Sequence, residues 1–182
     1  MSRTDARIRY TQGVLKQALL SFLQEKPINK ITVKEVCERA ELNRATFYAH
    51  YSDCFALLES IEEDLLEAFQ QSLKLVDSFD VTALIEAIYT MIEQQQEACR
   101  VLIFQNVCPN VLRRMISLAR DKSIAYWKQH LHRVTEAELE MLYTHLSNGL
   151  MHVVVEGYEK YSREEVVRFV NRIVQCSLSQ FQ

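Results

Sequence analysis

Residues 32–51 read TVKEVCERAELNRATFYAHY, and this stretch decides the fold. Thr32 is followed three residues later by Glu35, the spacing of a capping box in which each side chain satisfies a backbone N–H of a helix's first turn. Val33, Val36, Cys37 and Ala40 supply an inward stripe. The helix is expected to stop near Ala40, because Asn43 follows Glu41-Leu42 and its short side-chain oxygen suits the orphan amides of a second helix. There Phe47 and Tyr51 lie four apart and turn inward with Leu42, which leaves Arg44, Ala45, Thr46, Tyr48 and Ala49 outward. Two short helices meeting at a tight turn, the second presenting small, polar and aromatic residues, is the layout of a DNA-reading helix-turn-helix.

The outward face carries suitable chemistry. Arg44 has two donors for a guanine edge, Asn43 matches adenine, and the small Ala45 lets the helix axis approach the bases. Thr46, Tyr48 and His50 place hydroxyl or imidazole groups at the flanks, where phosphates run and fix register without reading sequence. Thr32 and Lys34, at the start of the first helix, complete the expected DNA-contacting set.

On these residues the chain resembles the N-terminal DNA-binding domain of the TetR/AcrR transcriptional regulators, whose motif runs roughly T-V-x-x-[IV]-x-x-x-A-G-[VL]-S-x-[GA]-T-[FL]-Y-x-[HY]-[FY]. The match falls at Thr32, Val33, Val36, Ala40, Leu42, Ala45, Thr46, Phe47, Tyr48, His50 and Tyr51. It extends upstream to Val14, Leu15, Ala18, Leu19 and Phe22 and downstream to Leu57-Leu58, covering about residues 7–60. Two departures stand out. The family's turn Gly is Glu41, where a left-handed backbone would cost about 1 kcal/mol. The family's frequent Lys at the start of the fourth helix, a phosphate ligand, is Cys54, a loss for which Lys30 and Lys34 are placed to compensate. The resemblance implies a ligand-responsive regulator, a repressor, that binds a near-palindromic operator as a homodimer. The alternative, motivated by Glu41 and Cys54, is a co-regulator of the same fold that grips a protein partner and binds DNA weakly or not at all.

With 182 residues, 48% of them hydrophobic, the chain can bury a full core, and three Gly and two Pro favour helices. The net charge of −3 divides unevenly: residues 1–55 hold nine Lys/Arg against six Asp/Glu, giving +3, and the rest hold twelve against eighteen, giving −6. A weakly basic head on an acidic body fits selective DNA binding and argues against indiscriminate coating. Five cysteines without C-x-x-C spacing read as reduced core thiols, with the more polar Cys54 as the one candidate redox sensor. No apolar run has the length of a membrane span and no signal-peptide core is seen, so a cytoplasmic location is expected.

Periodicity predicts an all-α fold: a three-helix head over 1–52, and over 53–182 a connector helix leading into a helical body for ligand binding and dimerisation. The first helix spans 5–24 and ends ahead of Pro27. The connector starts at Asp53 and repeats apolar residues from Leu57 to Leu73. Beyond Ser78-Phe79-Asp80 follow a helix with Leu84, Ile88, Met91 and Ile92, a short one over Glu97–Gln105, and another from Pro109 to about His132. Capping boxes at Thr135/Glu138 and Ser162/Glu165 start the last two helices. The first of these holds too many apolar residues for one stripe, so a second face needs a partner, and a twin subunit is the expected one. The expected dimer residues are Leu139, Leu142, Leu146, Leu150, Val153, Val154, Phe169 and Ile173, with Gly149 and Gly157 allowing close approach.

Aromatic residues of the body, Phe79, Tyr89, Phe104, Tyr126 and Trp127, are candidates to line a pocket for a small apolar or aromatic effector, although each also suits core packing. His145 and His152 share a helical face but lie about 10.5 Å apart along it, too far to share an ion, and no compact ligand set is found, so no metal or cofactor is expected. No phosphate loop, nucleophile elbow or H-E-x-x-H occurs, and an enzyme is not expected.

Overall fold

The structure is a computed structural model and describes residues 3–74 and 81–181; the turn expected at Ser78-Phe79-Asp80, and with it Phe79, lies outside the described residues. Helices α1 (Arg3–Leu23), α2 (Val33–Arg39), α3 (Arg44–Tyr48), α4 (Cys54–Lys74), α5 (Val81–Gln94), α6 (Gln96–Ala98), α7 (Pro109–His130), α8 (Glu136–Gly157) and α9 (Arg163–Leu178) follow in order. No strand occurs among the described residues. The chain forms two compact units, Met1–Leu65 with Glu97–Val107, and Leu66–Gln96 with Cys108–Gln182.

In the first unit the expected caps are in place. Thr32 Oγ1 accepts from the Glu35 N–H at 3.3 Å, and Glu35 Oε2 accepts from the Thr32 N–H at 2.9 Å. Asn43 Oδ1 accepts from the Thr46 N–H at 2.7 Å and opens α3. Asp53 Oδ1 accepts from the Ala56 N–H at 2.8 Å and opens α4. Between α2 and α3 the chain closes as a Schellman motif: the Leu42 N–H donates to Cys37 O at 2.9 Å and the Glu41 N–H to Glu38 O at 3.3 Å. That motif requires a left-handed residue just past the helix, and Glu41 supplies it at φ 53°. The missing glycine is therefore met by strain at Glu41 and not by a different turn.

Leu15, Leu19, Val36, Phe47, Leu57 and Leu65 are fully buried and hold α1, α2, α3 and the first part of α4 together. Lys16 Nζ ties α1 to α4 through Asp64 at 2.6 Å. The Arg39 guanidinium lies 3.7 Å from the centre of the Phe22 ring and donates to Ser21 Oγ at 2.7 Å, fixing α2 on α1. The short helix expected over Glu97–Gln105 is instead α6 running into a π-helical turn, Cys99–Phe104. It ends at Asn106, which takes φ 54°, a conformation its short polar side chain tolerates better than most.

The second unit is a helical bundle. Pro109 occupies the first turn of α7, and capping boxes at Thr135/Glu138 and Ser162/Glu165 open α8 and α9. Arg120 pairs with Glu140 between α7 and α8. Arg163 reaches from α9 to Glu86 of α5 at 2.9 Å and also pairs with Glu93. Gly157 lets α8 approach closely here, since a Cβ there would meet the Tyr161 ring and a Val166 methyl at a tight 3.3 Å each. No helix among the described residues is long and apolar enough to cross a membrane.

Cys37, Cys54 and Cys99 are buried, Cys108 is half-buried and Cys176 is exposed. The redox-sensor reading of Cys54 is thereby corrected. Burial, reinforced by the neighbouring Asp53 carboxylate, pushes its thiol up to about 11, and a sensor needs an accessible thiolate.

Candidate nucleic-acid interface and body cavity

The candidate reading surface is built from a buried anchor outward. Phe47 is fully buried and meets Tyr51 at 5.9 Å between ring centres, which orients the short helix α3. Opposite it, Asn43, Arg44, Ala45, Tyr48 and Ala49 are exposed. Tyr48 is 58% exposed, yet its ring stands edge-on to Phe47 at 5.6 Å and 82°, so the phenol is held outward in one orientation. Arg44 makes no ion pair among the described residues, leaving its guanidinium available. Thr46 and His50 are half-buried at the margins.

Asn43 differs from the role expected of it. Its Oδ1 accepts from both the Thr46 N–H (2.7 Å) and the Thr46 hydroxyl (2.9 Å), so a bidentate grip on adenine, which needs Oδ1 and Nδ2 together, is blocked and only the amide donors remain. Thr32 is exposed and also committed, its Oγ1 donating to Glu35 at 2.8 Å. Lys26 donates to the same carboxylate at 2.6 Å, and this bond, with those from Thr32, holds the Glu35 carboxyl down at about 2. Lys34 is exposed and 3.7 Å from Glu38, a loose pair that leaves its charge near the surface. At the α4 N-terminus buried Cys54 brings no cation, and Phe55 beside it is 56% exposed.

The second unit encloses a cavity of about 190 Å³. Tyr126 and Trp127 line it, as expected of them, with Phe69, Ser123, Tyr143 and Ser147 among the others. Tyr89 does not: it packs against Tyr158 at 5.4 Å under the Arg163 guanidinium at 4.9 Å, and its hydroxyl is buried without a hydrogen-bond partner among the described residues. Phe104 belongs to the first unit, in the π-helical turn. Ser123, Ser147 and Tyr143 are not legible as lining residues in the sequence, where hydroxyl residues inside long amphipathic helices carry no signal of a cavity.

Of the residues expected at a dimer face, Leu139, Leu146 and Val154 are buried inside their own unit, Leu150 lines the cavity, and Leu142 and Val153 are half-buried. Phe169 and Ile173 are 44% and 41% exposed on α9, and Met141, at 61%, is exposed on α8 with His145, Asn148, Gly149 and His152. A Cβ on Gly149 would meet nothing within 4 Å.

A helix-turn-helix in the first unit and a helical bundle in the second, with no strand among the described residues, define the class of fold. No family model matches the chain. Over 62 residues, 34% of its length, it is 37% identical to an uncharacterized HTH-type transcriptional regulator, YxbF, of Bacillus subtilis (strain 168), and the match spans 16% of that relative. In fold it is similar to a TetR transcriptional regulator of Streptococcus agalactiae 2603V, with TM-score 0.68 and 23% identity over 94% of this chain and 97% of that one. The TetR family regulator PfmR of Thermus thermophilus gives TM-score 0.63 at 14% identity over 89% and 94%. The dihydroxyacetone kinase operon activator DhaS gives 0.61 at 16% over 94% and 98%. The chain has the fold of the TetR regulators.

Proposed function

We propose that this protein is a sequence-specific DNA-binding transcriptional regulator, a ligand-responsive repressor acting in the cytoplasm as a homodimer on a near-palindromic operator. The observation that carries the reading is the exposed face of α3, with Arg44, small Ala45 and the braced Tyr48 set over buried Phe47. Arg44 reads a guanine, and Tyr48, His50 and Lys34 contact the backbone on either side, whereas Thr32, its hydroxyl and N–H both spent on Glu35, serves as the helix cap. Residues 1–52 bind DNA, and residues 53–182 bind the effector and the second subunit. Exposed Met141, Phe169 and Ile173 mark the dimer face, which sets two heads on half-sites one turn apart or a multiple of it, ~34–36 Å per turn. A molecule in the body that binds the non-DNA conformer more tightly releases the operator.

A co-regulator acting through a protein partner is favoured by one observation, the buried Cys54 in place of a phosphate-binding cation. Incubating the protein with a random duplex pool and, separately, with cell extract tests the two. Enrichment of a palindrome supports the regulator, and capture of a protein with no enriched DNA supports the co-regulator.

A further inference from the structure

The residues lining the cavity of the second unit include no Asp, Glu, Lys or Arg, so nothing there offsets the desolvation of a charged ligand. Its volume, about 190 Å³, is somewhat larger than the roughly 150 Å³ cavity that takes up benzene, which limits an occupant to a single substituted ring or a small fused pair. Trp127 and Tyr143, 6.1 Å apart at 58°, and Tyr126 provide aromatic surface for such a ring.

Three of the polar lining side chains have their protons spent, while the Gln175 amide and the Trp127 indole N–H also line the cavity as donors. Ser123 Oγ donates to Ala119 O at 2.7 Å, Ser147 Oγ to Tyr143 O at 2.6 Å, and Tyr143 Oη to Ile116 O. His130 Nδ1 lies 2.8 Å from Tyr126 O, and because a carbonyl only accepts, Nδ1 carries a proton. What the hydroxyls of Ser123, Ser147 and Tyr143 hold out is lone pairs, able to accept from a ligand donor. We propose that the cavity binds a neutral aromatic molecule bearing a hydrogen-bond donor, of the phenol or indole class, and discriminates against ring compounds of the same shape that lack the donor. This rests on the effector reading above only for its consequence on DNA; binding stands by itself.

Titration calorimetry of the full chain with indole, benzofuran, p-cresol, 4-methylanisole, benzoate and benzylammonium tests it. Indole and p-cresol are expected to bind, benzofuran and 4-methylanisole about tenfold more weakly, as befits one hydrogen bond, and the two ions not measurably. In Ser147→Ala, which keeps the Tyr143 anchor, the preference for indole over benzofuran shrinks. Equal binding of indole and benzofuran, tighter binding of either ion, or binding of none of the six overturns the inference. Operator affinity measured with saturating indole separates the two readings: indole that binds without changing DNA affinity leaves this inference standing and removes the effector role, whereas DNA binding with no ligand bound does the reverse.

Discussion

Replacing Glu41 with Gly is expected to stabilise the protein, because the turn of the helix-turn-helix holds a residue with a Cβ at φ 53°. A left-handed backbone costs an L-residue roughly 1–2 kcal/mol. Against this, glycine enlarges the freedom of the unfolded chain and gives back about 0.4–1 kcal/mol. The strain term wins, and Glu41→Gly should gain roughly 0.5–1 kcal/mol, or about 1–4 °C in Tm for a chain of this size. Glu41 is exposed and makes no ion pair among the described residues, so little else changes. Thermal unfolding followed by circular dichroism reads the shift, with Glu41→Gln separating charge from strain; the Gln variant should melt within about 1 °C of the parent, as exposed neutral changes do. A Gly variant that melts at or below the parent, or a Gln variant that gains as much as Gly, refutes the assignment of strain to this residue.

Three further outcomes follow from the same structure. The Glu35 carboxyl is held at about 2, below its unfolded value, by the bonds from Lys26 and Thr32; its contribution to stability is therefore present above about pH 4.5 and lost as pH falls toward 2, so Glu35→Gln should flatten the acid limb of a stability-versus-pH curve, and an unchanged limb contradicts this. Cys37, Cys54 and Cys99 are buried, so a thiol reagent followed by peptide mass mapping should label them only in denaturant, and rapid labelling of Cys54 in the folded protein contradicts its placement. Phe169→Asp with Ile173→Asp puts charge on the exposed apolar face of α9 and should weaken self-association by roughly 2 kcal/mol or more; sedimentation showing an unaltered dimer refutes the assigned face.

Local chemistry made most of the head legible. Thr32/Glu35, Asn43, Thr135/Glu138 and Ser162/Glu165 bond their own helix starts, so a three-residue window suffices to see them, and the structure has each in place. Long-range relations were less visible. α8 carries apolar residues on more than one face, and periodicity alone does not tell that Leu139, Leu146 and Val154 turn into their own unit while Met141 stays out. Asn43 matched adenine as an isolated side chain, but the cap it provides consumes the oxygen that pairing needs. The π-helical turn at Cys99–Phe104 leaves no composition signal, and Phe104 went with it to the other unit from Tyr126 and Trp127.

We propose that the outer face of α3 reads DNA sequence. The most direct test of this proposal is the affinity and base preference of Arg44→Ala on the duplex selected by the native protein, measured by fluorescence anisotropy at fixed salt. Arg44→Ala should lose about 1–3 kcal/mol for each half-site with relaxed preference at one guanine, while the melting temperature stays near the parent's. A variant that binds the same duplex with the same affinity and the same preference at every position contradicts it.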